Sequence, residues 1–501
     1  MEQENTTSGI SPHLYNQNSN VATQKIVNNY YSTKTEKVDI EGAREINPKL
    51  KKIIDKVKRQ ASPPLTDVID FRDELRERFE RNIQLVPTKH LRFRKNNGRI
   101  IADVESYEQE YHIKLDEESD QTQEILRSFL LNNDKERNEE LKRLLTHKGQ
   151  QRPAIITCDG FLINGNRRKM ILEELFRIYN QDPRFESMRV IILPEGVSEL
   201  EIQQIENRYQ LQNEGKSEYQ GLNRAIKYKR NIENGFSLEA QLKDDPNYHE
   251  LPPSEFKKVV LAFEKNFLNP LVCIDRYLGG LNRKGMYNTI TESINDREGR
   301  WQAFVDYSNF YNGTLASKSK LAQLKIKESE VGKLETAIFK IIRKRSLSSR
   351  SGDSPVGKLH EFIRKLPKYL SNTEAAINIL KIANISDEIS QELKQDKQGN
   401  KSPEREIDSR WGALHETEIL SNLFQAQRHL NNQENRDKPL ELLEDALKKL
   451  NHNNLKIENM GSEYFEHGLE LTQMISIKAD EIYKAIDHAR YNFKQSEKKG
   501  K

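Results

Sequence analysis

The chain has 501 residues, of which 35% are hydrophobic and 32% charged, a composition that favours two to four domains with long exposed helices over one large core. The net charge of +4 is small for this length, so nucleic-acid binding would have to come from local basic patches. Two distant cysteines, Cys158 and Cys273, argue against a disulfide framework or a zinc site. Without a long apolar run or an apolar signal core, we expect a cytoplasmic protein that does not enter a membrane.

The first 81 residues combine a polar tail with short helical segments. Residues 1–47 are rich in Asn, Thr, Ser and Gln, which predicts a disordered, solvated extension. Residues 48–81 carry apolar residues at helical spacing, and the break at Ser62-Pro63-Pro64 predicts two short helices there.

Short strands are predicted next. Ile83–Val86 and Leu91–Phe93 have the composition of strands, and Asn97-Gly98 is typical of a hairpin turn that leads to a further strand at 100–102. The longer acidic stretch 103–138 is interpreted as an insertion whose role the sequence does not indicate.

The stretch Arg152–Arg168, RPAIITCDGFLINGNRR, predicts two short strands that lead into an amphipathic helix. Gly165 at the junction allows the backbone to turn sharply and to approach a ligand closely. The start of the helix offers unpaired N–H groups, and Arg167 and Arg168 add fork-shaped cationic donors that suit phosphate. This stretch is therefore a candidate phosphate site, and a capped helix with exposed arginines is the alternative.

A further strand and helix follow this stretch. The β-branched residues of Arg189–Leu193 predict a strand, and Ser198 with Glu201 predicts a capping box at the start of the next helix. In that helix Glu206 and Asn207 lie off the apolar stripe and are free to face a site, with a plain surface role as the alternative.

Three motifs in this order resemble boxes of the ParB/sulfiredoxin superfamily, over roughly residues 80–235. Residues 165–168 (GNRR) are similar to its G-E-R-R box, residues 149–153 (GQQRP) to G-x-x-Q-P, and Glu206-Asn207 to the start of E-N-x-Q-R. Asn166 replaces the family glutamate. It also stands where sulfiredoxins have their catalytic cysteine, so the resemblance is to ParB-like proteins and not to a sulfiredoxin.

The resemblance implies an α+β ParB-like N-terminal domain followed by a mostly α-helical C-terminal half. It implies binding of a nucleoside triphosphate, CTP or ATP, with Mg²⁺. The implied nucleotide-binding residues are Gly149, Gln150, Gln151, Arg152, Gly165, Asn166, Arg167, Arg168 and Asn207. Glu206 is the implied catalytic residue, and Glu206 and Asn207 are the implied metal ligands.

The rest of the chain is predicted to be helical. A helix-turn-helix that binds DNA is a candidate within 236–312, and an ordinary helical domain is the alternative. At the C-terminus one helix is expected to begin near Pro439 and another to run through Leu471 and Ile486, packed on each other or exposed to a partner. The predicted domains are 82–235 (ParB-like), 236–312, 313–393, a linker at 394–409, and 410–501.

The leading functional hypothesis is a bacterial or mobile-element protein that binds DNA and uses the nucleotide as a ligand switch in partition, regulation or defence. The first alternative is a metal-dependent nuclease or NTPase (CTPase or ATPase) of a plasmid or phage defence system. The second is a non-catalytic helical adaptor. The expected partners are DNA, a second copy in a homodimer, or another protein bound through the C-terminal helices.

Overall fold

The computed structural model describes residues 44–59, 65–72, 77–211, 221–245, 247–290, 300–348, 356–396 and 398–499. Nearly all of the predicted tail 1–47 and the predicted break at 62–64 therefore lie outside the described residues. The chain divides into two units, the first ending at Leu430 and the second beginning at Asn431.

A small four-stranded mixed sheet forms the centre of the N-terminal part. Its strands are β1 (Thr66–Val68), β2 (Glu80–Pro87), β3 (Ala154–Ile156) and β4 (Ser187–Ile192), in the order β1-β2-β4-β3. The β1–β2 and β2–β4 pairs are antiparallel, whereas β3 and β4 are parallel. Together with the helices around it, this sheet confirms the predicted α+β N-terminal part.

Helices make up most of the remaining described chain, as predicted. In the first unit they are α1 (Pro48–Lys58), α2 (Ile101–Tyr111), α3 (Asp120–Asn133), α4 (Lys135–Lys148), α5 (Asn166–Ile178), α6 (Glu199–Leu211), α7 (Gly221–Glu233), α8 (Leu238–Lys243), α9 (Pro253–Phe263), α10 (Asn269–Gly280), α11 (Trp301–Phe310), α12 (Lys318–Gln323), α13 (Val331–Lys344), α14 (Leu359–Ser371), α15 (Thr373–Lys381) and α16 (Glu404–Leu414). Two 35-residue helices follow, α17 (Glu416–Leu450), in which the first unit ends, and α18 (Phe465–Lys499).

Alternating residues of β3 and β4 bury both faces of the sheet. Ile156 and Val190 pack on one face in the same core as Ile171 of α5, and Ile155 and Ile191 pack on the other face with α6. Because successive strand residues point to opposite sides, a short strand that is apolar throughout can hold one helix on each face. After β3 the chain turns and residues 161–163 run back antiparallel to it, so the start of α5 lies beside Ala154, the first residue of β3.

Several elements differ from the sequence prediction. Residues 66–68 form a strand where the second helix of the 48–81 segment was expected. Asn97-Gly98 is a turn, but α2 begins at Ile101, so the predicted strand at 100–102 is wrong. The predicted Asn-Gly turn is therefore present, but a helix follows it and not a strand. Ile101 and Ala102 at the start of this helix are buried in the large helical core.

The stretch 103–138, interpreted as an insertion of unknown role, forms part of the folded N-terminal core. It supplies most of α2, all of α3 and the start of α4, and Leu126 and Leu130 are buried in the core that contains α5.

The predicted linker 394–409 contains the start of α16, where Ile407 and Asp408 are buried. Its composition indicated a linker because few of its residues are apolar.

The prediction that a helix begins near Pro439 is also wrong, since Pro439 lies inside α17. Neither Pro439 nor the polar run before it ends the helix. Residues 236–312 are helical where they are described, with α8 only six residues long, and the helix-turn-helix stays a prediction.

Candidate anion-binding cavity

A cavity of about 700 Å³ opens at the start of β3 and the start of α5. Its volume falls within the range of small-molecule sites, roughly 300–1,000 Å³. Basic side chains outnumber acidic ones in its lining. The arginines are Arg99, Arg137, Arg152, Arg167 and Arg168, and the acidic residues are Asp67, Asp70 and Glu140. This balance gives the cavity an excess of positive charge and favours an anion.

The N-terminus of α5 forms part of the cavity wall. Gly165 is its N-cap residue and adopts the left-handed conformation with φ of +85°. No side chain caps the first turn. A Cβ atom at Gly165 would lie 2.8 Å from both the Ala154 Cβ and the Met188 Cε. The glycine therefore allows the helix to start against the sheet, with the positive end of its dipole at the cavity.

Arg167 and Arg168 lie in this first turn and bind backbone and amide groups of the wall. Arg167 Nε donates to Asn138 Oδ1 over 2.8 Å. The Arg168 guanidinium donates to the carbonyl oxygens of Arg152 and Pro153. Burial, and the like charges of Arg152 and Arg189, lower the pKa of Arg168 to about 10. Arg168 therefore stays protonated at neutral pH, in surroundings that an anion would stabilise.

Two buried amide groups in the lining have polar atoms that bind nothing in the part of the chain that the structure describes. They are Asn97 Nδ2, a donor, and Asn166 Oδ1, an acceptor. Both side chains are at least nine-tenths buried. A buried polar group without a partner costs about 1–3 kcal/mol, so such groups usually mark a site for water, an ion or a ligand.

The cavity lining also includes acidic and aromatic side chains. Asp70 forms an ion pair with Arg208 (Oδ1 to Nη1, 3.0 Å), and its backbone N–H approaches the Tyr209 hydroxyl oxygen at 3.4 Å. Burial raises the pKa of Tyr209 to about 12, so its hydroxyl stays protonated at neutral pH. These residues add hydrogen-bond acceptors and an aromatic ring to the lining.

The structure brings together only part of the predicted nucleotide-binding set. Arg152, Gly165, Asn166, Arg167 and Arg168 all line the cavity.

Gly149, Gln150 and Gln151 are not among its lining residues. The Gln150 amide instead accepts from the Arg189 N–H (2.7 Å) and donates to the Arg189 carbonyl (2.8 Å), as a neighbouring strand would. Gln151 Nε2 donates to the Lys148 carbonyl.

Glu206 lies behind the cavity rather than in its lining. Its carboxylate is buried, forms an ion pair with Lys227 Nζ at 2.8 Å, and accepts from the Gly98 N–H at 3.1 Å. Burial alone would raise the pKa of Glu206, but the charges of Lys227 and Arg94 outweigh it and hold that pKa below its usual value. The carboxylate thus holds the turn that carries Asn97 into the cavity.

The predicted metal ligands do not fit Mg²⁺ in this arrangement. One Glu206 oxygen faces an ammonium group and the other a backbone N–H, whereas Mg²⁺ needs carboxylate oxygens that face it within an octahedron. Asn207 Nδ2 donates to the Gln241 carbonyl over 3.2 Å, away from Glu206. Within the described ranges, no group of three or more His, Cys, Asp or Glu residues could hold a metal ion.

No family model, curated protein or solved structure matches the chain. The cavity is therefore interpreted from its own residues. No helix in the described ranges is long and apolar enough to cross a membrane.

Several cavity residues were missed from the sequence. Asn97 and Arg99 had a visible signal, the Asn-Gly turn, but its distance from Gly165 along the chain gave no reason to join the two. Asp67 and Arg137 had none, because long-range packing alone places them in the lining. Tyr209 lies in the segment similar to the E-N-x-Q-R box, at the usual glutamine position, but it was not predicted as a site residue.

Proposed function

We propose that the protein binds a nucleoside triphosphate in this cavity. The observation that carries the proposal is the arginine-rich lining of the cavity at the N-terminus of α5, which also includes Asn97 and Asn166, each with a buried amide atom that has no partner among the described residues. Guanidinium groups bind phosphate as paired donors, and a helix N-terminus adds N–H donors and a favourable dipole. The polyphosphate lies against Arg167, Arg168 and the start of α5.

The size and polarity of the cavity favour a nucleotide over a single phosphate ion. Five arginines and a volume of about 700 Å³ exceed what one phosphate would use. The acidic and aromatic residues Asp67, Asp70 and Tyr209 supply acceptors for ribose hydroxyls or base amino groups and a ring for stacking. CTP and ATP are the two ligands that the motif resemblance implies.

The ligand acts as a switch in this proposal, because the turn that contacts it also contacts α7. Lys227 Nζ donates to the Asn96 carbonyl (3.2 Å), and Asn223 Nδ2 donates to the Arg99 carbonyl (2.9 Å). A nucleotide that contacts Asn97 and Arg99 therefore contacts the same turn that α7 binds through these hydrogen bonds. Association with DNA through the helical region after residue 235 is the second part of the proposal, and it rests on the resemblance alone.

We assign Glu206 a positioning role and derive no hydrolysis step through it or through Mg²⁺. Its carboxylate is occupied by Lys227 and by the Gly98 N–H, so it orients the turn and not a water molecule. The nuclease or NTPase alternative stays a prediction, and so does the adaptor alternative.

The test is equilibrium binding of labelled CTP and ATP to the full chain and to Asn97→Asp. The substitution keeps the oxygen that accepts from the Arg99 N–H but replaces the unpartnered donor with a negative charge. We expect affinity to fall by about tenfold or more, the equivalent of at least 1.4 kcal/mol. Asn180→Asp makes the same charge change at an exposed residue outside the cavity and should leave affinity unchanged. No binding of either nucleotide to the folded wild type would overturn the proposal.

A further inference from the structure

The guanidinium group of Arg168 lies among positive charges at the start of α5. It donates to carbonyl oxygens and forms no ion pair with a described carboxylate. The charges that act on it are those of Arg152 and Arg189, which lower its pKa together with burial. An anion stabilises a cation in such surroundings, and a further cation destabilises it. A ligand that brings Mg²⁺ to this part of the cavity would therefore add a second positive ion beside Arg168.

The acidic side chains of the lining do not offset this charge. Asp70 forms an ion pair with Arg208, and Asp67 and Glu140 are exposed to water. None of these carboxylates is among the charges that act on Arg168. Mg²⁺ at phosphate sites is usually held by one or two carboxylates together with phosphate oxygens and waters. The described lining therefore does not provide a carboxylate beside Arg168 for this purpose.

Asn166 presents a neutral acceptor to the cavity directly before these arginines. Its side chain is 7% exposed, and its Oδ1 atom is buried without a partner among the described residues. An amide oxygen can accept from a ligand hydroxyl or from a water molecule, but it carries no charge to balance a divalent ion. Replacement of this amide by a carboxylate is thus the smallest change that would make the site suitable for Mg²⁺.

The donors of the lining suit bare phosphate oxygens. Asn97 Nδ2 is a buried donor without a partner in the described ranges, and Arg137 lies in the first turn of α4 with an exposed side chain. A guanidinium group binds two phosphate oxygens as paired donors. In metal-dependent nucleotide sites Mg²⁺ bridges oxygens of the same β- and γ-phosphates. Arginines and the metal therefore compete for the same oxygen atoms.

We propose that the cavity binds the metal-free form of the nucleoside triphosphate, and that the neutral Asn166 amide keeps Mg²⁺ out of the site. Arginine donors bind the phosphate oxygens that the metal would otherwise bridge. The form of the ligand matters only if the cavity binds a nucleotide, so this proposal rests on the proposed function. It reverses the metal requirement that the motif resemblance implies.

The first experiment is titration calorimetry of ATP and CTP into the full chain, once with EDTA and once with excess Mg²⁺ at equal ionic strength. Excess Mg²⁺ converts most of the nucleotide into its metal complex, so we expect the apparent affinity to fall by about tenfold or more. Equal or higher affinity with Mg²⁺ would overturn this inference and leave the nucleotide site standing. Absence of binding under both conditions would instead overturn the proposed function itself, and this inference with it.

The second experiment repeats both titrations with Asn166→Asp. The new carboxylate repels the phosphates, so affinity in EDTA should fall by about tenfold or more, and Mg²⁺ should now raise the affinity. Asn180→Asp makes the same charge change outside the cavity, and Mg²⁺ should weaken its binding as in the wild type. Circular dichroism checks that both variants fold. A folded Asn166→Asp variant whose binding Mg²⁺ still weakens would overturn the role of Asn166.

Discussion

Gly165 lets the backbone at the start of α5 approach the sheet at Ala154 and Met188. A glycine is needed here for two separate reasons. Its φ is positive, and a Cβ atom would lie only 2.8 Å from the side chains of Ala154 and Met188. The sequence showed this junction because it is local: an apolar strand, a glycine and a helix with two arginines follow one another along the chain. The same local logic predicted the capping box, in which the Ser198 N–H donates to Glu201 Oε2 over 2.8 Å.

Gly165→Ala is expected to lower the free energy of unfolding by about 2–4 kcal/mol, from left-handed strain plus overpacking against Ala154 and Met188. Gly196→Ala is the matched control, since Gly196 also has a positive φ but has open space around the position of its Cβ atom. It should lose only the strain, about 1 kcal/mol. Urea unfolding of both variants measures the difference. Equal losses in the free energy of unfolding would show that the close contacts at Gly165 do not add to the cost.

The buried Glu206–Lys227 pair should behave as a unit. Glu206→Gln leaves the Lys227 ammonium buried without its partner, which costs about 3–5 kcal/mol. The double variant Glu206→Gln/Lys227→Met should lose less stability than Glu206→Gln alone, because no buried charge remains unpaired.

The same pair of variants tests the positioning role. The glutamine oxygen in Glu206→Gln can still accept from the Gly98 N–H and hold the turn, so if Glu206 positions the turn and binds no ligand, the double variant should bind nucleotide within about threefold of the wild type, a difference below 1 kcal/mol. Unfolding in urea and nucleotide binding are the two measurements. Loss of nucleotide binding in a stably folded double variant would instead support the predicted ligand or catalytic role.

At the scale of elements, one buried carboxylate joins four segments of the helical core. Asp408 of α16 accepts from Arg343 of α13 at 2.7 Å, from Arg283 after α10 at 2.8 Å and from Arg300 before α11 at 2.9 Å. Burial would raise its pKa, but these guanidinium groups hold the pKa of Asp408 well below its usual range. The sequence did not indicate this role, because a single aspartate in a polar stretch is typical of a linker. Only the fold places the three distant arginines next to Asp408.

Asp408→Asn is expected to lower the free energy of unfolding at pH 7 by about 3–5 kcal/mol, the usual cost of breaking a buried ion pair. Asp387→Asn removes a carboxylate that also pairs with Arg343 but is 45% exposed, so it should cost about 1 kcal/mol or less.

The pH dependence follows from the direction of the shift. Because the folded-state pKa of Asp408 is depressed, its stabilisation is complete above the unfolded-state pKa of about 3.9 and is lost only as the pH falls below it. The difference in free energy of unfolding between the wild type and Asp408→Asn should be constant from pH 7 to 5 and should decrease in more acidic solution. A difference that changes between pH 5 and 7 would contradict this assignment.

At the scale of the whole molecule, the chain separates a folded first unit from a second unit whose described side chains are not buried. The sequence predicted the α+β part and the helical remainder correctly, because both follow from local periodicity. It did not predict the boundary at Leu430, because α17 continues through it without a break. It also did not join Asn97 and Arg99 to the phosphate site, since their proximity to it depends on packing between distant segments.

A chain that ends at Leu430 should keep the core of the first unit, whose last buried apolar residue is Leu430 itself. We expect its melting temperature to stay within a few degrees of the full chain, a change of about 1 kcal/mol or less. Its nucleotide binding should be unchanged. Calorimetric unfolding and nucleotide binding of the two chains test this, and an unfolded truncated chain would show that the first unit needs the second for stability.

The measurement that tests the central claim most directly is titration calorimetry of CTP and ATP into the wild type and into Arg167→Ala/Arg168→Ala. The control is Arg177→Ala/Arg184→Ala, which removes two exposed arginines outside the cavity, one of them from the same helix. We predict binding of at least one nucleotide to the wild type and to the control, and at least about a hundredfold loss in the cavity variant, the equivalent of 2.7 kcal/mol. Equal affinity of the cavity variant and the control, with both proteins folded, would contradict the phosphate site.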